Sequence, residues 1–153
     1  MAIYLITHGD RNDGSDPTHT AEGLAQIEAI PIPNGICLIV SGTGKRFLEI
    51  LEIVRKKLSG ARVKYSPFCG GPEGFQGKDD VALTDGRTIG YHTDYIGISN
   101  GPLDMWSFVR SLPDGTLLCA GGALMIGLGL KAINQKGHLY ELDPFARTGK
   151  LLA

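Results

Sequence analysis

The chain has 153 residues, enough for one domain with its own core, and its 15 basic and 16 acidic side chains leave a formal net charge of -1. No block of Lys and Arg stands out, which excludes the electrostatic signature of a nucleic-acid or acidic-membrane partner. Three cysteines, Cys37, Cys69 and Cys119, lack CxxC spacing, so neither a disulfide framework nor a zinc site is indicated and a reducing cytoplasm is expected.

Ala2 to Ile6 is a short, mostly apolar run and reads as a first core strand, ending at Thr7-His8-Gly9-Asp10. A helix is predicted from Thr20 through Ala29, stopping before Pro31. Ile36 to Val40, entered through Pro31-Ile32-Pro33-Asn34-Gly35, reads as a buried strand. Thr43 to Leu58 is the clearest helix: Phe47, Ile50, Leu51, Val54 and Leu58 share one face and Glu49, Glu52, Arg55, Lys56 and Lys57 the other. Ala61 to Tyr65 is a third strand, followed by a glycine-rich loop from Pro67 to Asp80. Val81 to Thr84, Asp85-Gly86 and Arg87 to Tyr91 form a β-hairpin pattern.

A helix is then expected from Asn100-Gly101-Pro102 through Leu112, a strand over Thr116 to Cys119, a helix over Gly122 to Asn134 and a last strand over His138 to Leu142. The apolar stretch around Ala123 to Leu130 is too short and too broken by glycine to span a bilayer, and the N-terminus lacks the features of a secretory signal. Strands alternating with helices imply a single α/β domain over 1–153. The layers are α/β/α around a mostly parallel sheet, with the hairpin as an elaboration.

His8 is the first candidate for chemistry. Ligands of open α/β sheets bind at the carboxyl ends of strands, and a neutral imidazole there can accept a phosphoryl group covalently. Gly9 lets the backbone turn and a ligand approach. Arg46 opens a helix, where backbone N–H groups and the dipole already favour an anion, and its guanidinium adds a planar charged fork. Asp10 and Glu73 are candidate proton donors, and Arg11, His19, Lys45, Arg87 and His92 are further polar groups with no rank among them. Gly42-Thr43-Gly44-Lys45 fails as a nucleotide-binding loop, because Ile39 and Arg46 stand where a glycine and a Ser or Thr are required. Cys119 ends a strand before a helix and is a rival nucleophile, though a buried small residue is the better expectation there.

Taken in order, these junctions resemble those of the histidine phosphatase superfamily, the phosphoglycerate-mutase-like fold. Thr7-His8-Gly9 matches its Arg-His-Gly, and Thr20-Ala21-Glu22-Gly23 followed by Gln26 matches its Thr-x-x-Gly helix start. Ser41-Gly42 with Arg46 matches its Ser-Ser turn and helix arginine, and Cys119-Ala120-Gly121-Gly122 matches its Ser-His-Gly. The resemblance implies that His8 is the phosphoryl acceptor, Arg46 the phosphate clamp and Glu73 or Asp10 the acid. Gly9, Thr7, Arg11 and Gly121 are then expected to line the substrate, with no metal and no cofactor required.

Two positions depart from the pattern: Thr7 stands for the phosphate-gripping arginine and Ala120 for the second histidine. Losing one preorganised donor commonly costs ~10²–10³ in rate. The expected protein therefore binds phosphate or a small phosphorylated molecule in a partly degenerate pocket, and is weakly active or non-catalytic. The alternative is an active phosphomonoesterase or phosphohistidine phosphatase working through a phosphohistidine at His8.

Overall fold

The computed structural model describes residues 2–14, 17–70, 81–82, 88–89, 104–131 and 136–153. Its centre is a six-stranded sheet in the order β3-β2-β6-β1-β7-β8. Here β1 is Ile3–Thr7, β2 Leu38–Ser41, β3 Arg62–Tyr65, β6 Thr116–Ala120, β7 Leu139–Asp143 and β8 Thr148–Leu151. β1, β6, β2 and β3 run parallel, whereas β7 is antiparallel to β1 and β8 to β7. Val81–Ala82 (β4) and Thr88–Ile89 (β5) pair antiparallel as a separate two-stranded unit, as expected of a hairpin; the Asp85-Gly86 turn lies outside the described residues.

Strand alternation divides the core in two. Ile3 and Leu5 of β1, Leu38 and Val40 of β2, and Leu118 and Ala120 of β6 face one cluster. Ile6, Ile39, Leu117 and Cys119 face the other, because successive side chains of a strand point to opposite sides. The first cluster is closed by α3 (Met105–Arg110) and α4 (Gly122–Gly127), through Trp106, Phe108, Val109, Leu124 and Met125. The second is closed by α1 (Ala21–Glu28) and α2 (Lys45–Lys57), through Ile27, Phe47, Ile50, Leu51, Ile53 and Val54. The result is the expected three-layer α/β/α arrangement, with β7 and β8 as its antiparallel margin.

Most boundaries fall within two residues of expectation; the three larger differences each have a local reason. α3 starts only at Met105, because Asp104 is extended and its carboxylate accepts the Ser107 N–H at 3.0 Å as an N-cap. α4 stops at Gly127 rather than running to Asn134. Gly129 takes φ +70°, its N–H donates to the Ile126 carbonyl at 2.9 Å, and the Leu130 N–H donates to the Met125 carbonyl at 2.9 Å. That pair of bonds is a Schellman closure, and the Trp106 Nε1–H donates to the Leu128 carbonyl at 3.1 Å to pin it. Finally, β7 is not the last strand. The Asp143 carboxylate accepts the N–H groups of Phe145 and Ala146, both at 3.0 Å, and turns the chain back into β8.

Candidate functional site

His8 is the first residue beyond β1, at the carboxyl edge shared by the four parallel strands. Its ring is half-buried, and Nδ1 lies 3.0 Å from the Gly9 carbonyl oxygen. A carbonyl only accepts, so that contact requires the proton on Nδ1 and leaves the lone pair on Nε2. Burial is the main influence on the imidazole and holds its pKa below the ordinary 6.5. The bond to Gly9 opposes this, while the Arg46 charge, His19 and Arg11 push the same way as burial. A histidine so placed is neutral at neutral pH and presents a nucleophilic nitrogen.

The loop after His8 is held down by α1. Thr20, the N-cap of α1, accepts the Gly23 N–H at 3.1 Å and donates its hydroxyl proton to the Asp10 carboxylate at 2.8 Å. The side-chain amide oxygen Oε1 of Gln26 accepts the Asp10 N–H at 3.1 Å. Gly23 is needed for contact itself, because a Cβ there would stand 2.0 Å from the Asp10 carbonyl oxygen. Thr20, Gly23 and Gln26 therefore act together to seat the backbone behind the nucleophile. Asp10, a candidate acid, is half-buried with its carboxylate bonded to Thr20.

Arg46 sits on the first turn of α2, after the N-cap Gly44. Its Cζ lies 4.3 Å from the centroid of the Phe47 ring, a cation–π geometry. The same buried ring lies 6.4 Å from the His8 ring. Phe47 fits because three backbone segments lack side chains against it: a Cβ on Gly42, Gly70 or Gly121 would fall 2.8, 2.6 or 2.7 Å from its ring atoms. A Cβ on Gly121 would also lie 3.6 Å from His8 Cδ2, so Gly121 borders both rings. The imidazole and the guanidinium thus converge around one phenylalanine whose α2 periodicity marked it only as core. Arg11 is exposed, yet near enough for its charge to act on His8.

Other residues are engaged elsewhere. The Thr7 hydroxyl accepts the His138 N–H at 3.0 Å, extending the β1–β7 ladder. Ala120 is fully buried, and Ser41 spends its hydroxyl on the Gly42 carbonyl at 2.8 Å. Cys119 is fully buried, and burial together with Cys69 pushes its thiol well above the ordinary range, which removes it as a thiolate nucleophile. Glu73, Arg87 and His92 lie outside the described residues.

His19, unranked among the polar groups of the sequence, lies in the interior. Its side chain is fully buried; Nε2 accepts the Gly9 N–H at 3.0 Å, and Nδ1 lies 3.1 Å from the Glu49 carboxylate on α2. The signal lay 30 residues away, in a glutamate assigned to the outward face of its helix. Among the described residues, no group of three or more His, Cys, Asp or Glu side chains could hold a metal ion, and no helix is long and apolar enough to cross a membrane.

No family model matches the sequence, and no curated protein does. Solved structures do. A phosphoglycerate mutase from Thermus thermophilus superposes with a TM-score of 0.56 at 17 % identity, covering 100 % of this chain and 99 % of its own. A protein from Agrobacterium tumefaciens, assigned as the phosphohistidine phosphatase SixA, gives a TM-score of 0.55 at 12 % identity over 99 % of this chain and 95 % of its own. The chain has the phosphoglycerate-mutase-like fold. At such identities the likeness is one of architecture, and it spans the whole chain. In this fold His8 and Arg46 occupy the junctions after the first and second strands, beside the β6–α4 junction that carries Gly121.

Proposed function

We propose that this phosphoglycerate-mutase-like protein binds inorganic phosphate or a small phosphorylated molecule beside His8, and that phosphoryl transfer there is weak or absent. The observation that carries the reading is the convergence of His8 and Arg46 on Phe47, at the carboxyl ends of parallel strands. A guanidinium near a half-buried site attracts a phosphate dianion more strongly than in open water. Transfer demands more, because charge on all the equatorial oxygens must be stabilised as the bond breaks. The Thr7 hydroxyl is bonded to the His138 backbone and Ala120 has no donor, which argues for binding over turnover.

One observation favours the active alternative, a phosphomonoesterase or phosphohistidine phosphatase. The Nδ1–H to Gly9 bond leaves Nε2 as an unprotonated nucleophile. On that route Nε2 attacks phosphorus, the P–O or P–N bond to the leaving group breaks, and an acid protonates the departing atom. Water then attacks phosphohistidine and restores the imidazole. Glu73 and Asp10 are the candidate acids.

Orthovanadate binding by calorimetry, paired with turnover of an aryl phosphate, tests both readings on the wild type and His8→Ala. Vanadate binding that needs His8, with turnover indistinguishable from His8→Ala, supports the binding role. Turnover abolished in His8→Ala supports the enzyme. Absence of vanadate and phosphate binding defeats both.

A further inference from the structure

Four residues, Glu49, His19, Gly9 and His8, are linked in series by hydrogen bonds behind the nucleophile. The Glu49 carboxylate accepts the His19 backbone N–H at 2.7 Å and lies 3.1 Å from His19 Nδ1. His19 Nε2 accepts the Gly9 N–H at 3.0 Å, and the Gly9 carbonyl lies 3.0 Å from His8 Nδ1. Each link has one permitted polarity. A backbone N–H can only donate, so His19 Nε2 is unprotonated and its proton is on Nδ1, facing Glu49. Gly9 is gripped on both sides: its N–H, part of the His8–Gly9 peptide, by one imidazole, and its carbonyl, part of the Gly9–Asp10 peptide, by the other.

We propose that His19, held by Glu49, is a positioning residue for His8: it fixes the Gly9 backbone, which fixes the tautomer and orientation of the His8 imidazole. The chemistry supports a role beyond filling space. A carboxylate on the Nδ1–H of an imidazole makes its other nitrogen a better acceptor, the arrangement that orients functional histidines elsewhere. The Gly9 N–H and carbonyl belong to successive planar peptide groups joined at one Cα, so holding the first limits where the second can aim its oxygen. That favours the His8 tautomer with Nε2 free. Satisfying one backbone N–H would require only a single acceptor; a buried imidazole and a carboxylate from another helix supply a chain with a direction. Any effect on ligands rests on the function proposed above, but the coupling between the two histidines does not.

Nitrogen-15 imidazole spectra of the labelled full-length protein at neutral pH report each histidine's tautomer directly, with His8 assigned by its loss in His8→Ala. The wild type is expected to show His8 as the Nδ1–H tautomer. In His19→Leu, which has no acceptor, His8 becomes a mixture of tautomers. The orthovanadate dissociation constant rises roughly tenfold or more, the scale found when the partner orienting a functional histidine is removed. His19→Gln, whose amide oxygen can accept the Gly9 N–H, restores both. Should His19→Leu fail to fold, Glu49→Ala replaces it, since that carboxylate is partly exposed, and the same loosening of the His8 tautomer is expected. A folded variant of either kind with an unchanged His8 tautomer overturns the proposal. If the wild type binds no vanadate, the proposed function falls while the tautomer comparison still decides this inference.

Discussion

Gly23→Ala tests how tightly α1 must approach the nucleophile loop. The added Cβ would stand 2.0 Å from the Asp10 carbonyl oxygen, 2.9 Å from its carbon and 3.0 Å from its nitrogen, all backbone atoms that cannot rotate away. Reaching ordinary contact at 3.4 Å needs a relative shift of 1.4 Å (3.4 minus 2.0). Such a shift breaks the Asp10 N–H to Gln26 bond and the Thr20 N–H to Asp10 carbonyl bond, both 3.1 Å long. Each is worth about 1 kcal/mol. Overpacking adds about 1–3 kcal/mol, and alanine's helix propensity returns about 1 kcal/mol. The net expectation is a loss of about 2–4 kcal/mol in urea unfolding. Gly60→Ala is the control, since no atom lies within 4 Å of its added Cβ. If Gly23→Ala unfolds within about 0.5 kcal/mol of wild type, a typical surface-substitution range, the close approach is not what seats the loop.

Gly129→Ala is expected to cost about 1–2 kcal/mol, because alanine is strained at φ +70° in the closure of α4; thermal unfolding measures it. The lowered His8 pKa gives a signed pH dependence. Below 6.5 the unfolded chain binds a proton that the folded protein resists, so the contribution is complete above 6.5 and is lost as pH falls through the folded value. Urea midpoints at pH 7.5 and 5.5 should therefore converge more closely in His8→Gln than in wild type, and an unchanged difference refutes the assignment. Arg46→Ala should weaken orthovanadate binding roughly ten- to hundredfold, the scale of a charged hydrogen bond. Arg11→Ala, from an exposed position, should weaken it less.

What the sequence discloses divides along local and distant lines. The β1 end at His8, the Thr20-x-x-Gly23-x-x-Gln26 helix start and Arg46 on α2 are legible because each depends on neighbours within a few positions. β8 escapes because Thr148-Gly149-Lys150-Leu151 is an edge strand, largely exposed, with no alternation to betray it. The end of α4 is present in the sequence as Gly129, but Leu130, Ala132 and Ile133 beyond it continue a helix-like pattern until the backbone bonds are seen. His19 and Phe47 are harder cases. The burial of His19 is set by Glu49 on another helix, and the place of Phe47 beside His8 is set by glycines at 42, 70 and 121. No periodicity within one segment encodes either contact.

The two positions at which the sequence differs from the pattern it resembles meet at one place once the strand register is known. Thr7 and Ala120 are direct partners across the β1–β6 pair, so both changes fall at one point on the sheet's carboxyl edge. β1 has β6 on one side and β7 on the other, and the Thr7 hydroxyl is committed to the β7 side through His138. The edge between β1 and β6 therefore carries an alanine and a threonine whose hydroxyl is bonded to the His138 backbone. The charges that still act on His8, Arg46 and Arg11, come from α2 and from the loop after β1. A long-range charge attracts an anion from either direction, but stabilising a trigonal phosphoryl group requires donors around its equator. On the proposed function, a gap in donors at that one point weakens transfer more than affinity. That asymmetry is what would separate an anion-binding site from an enzyme.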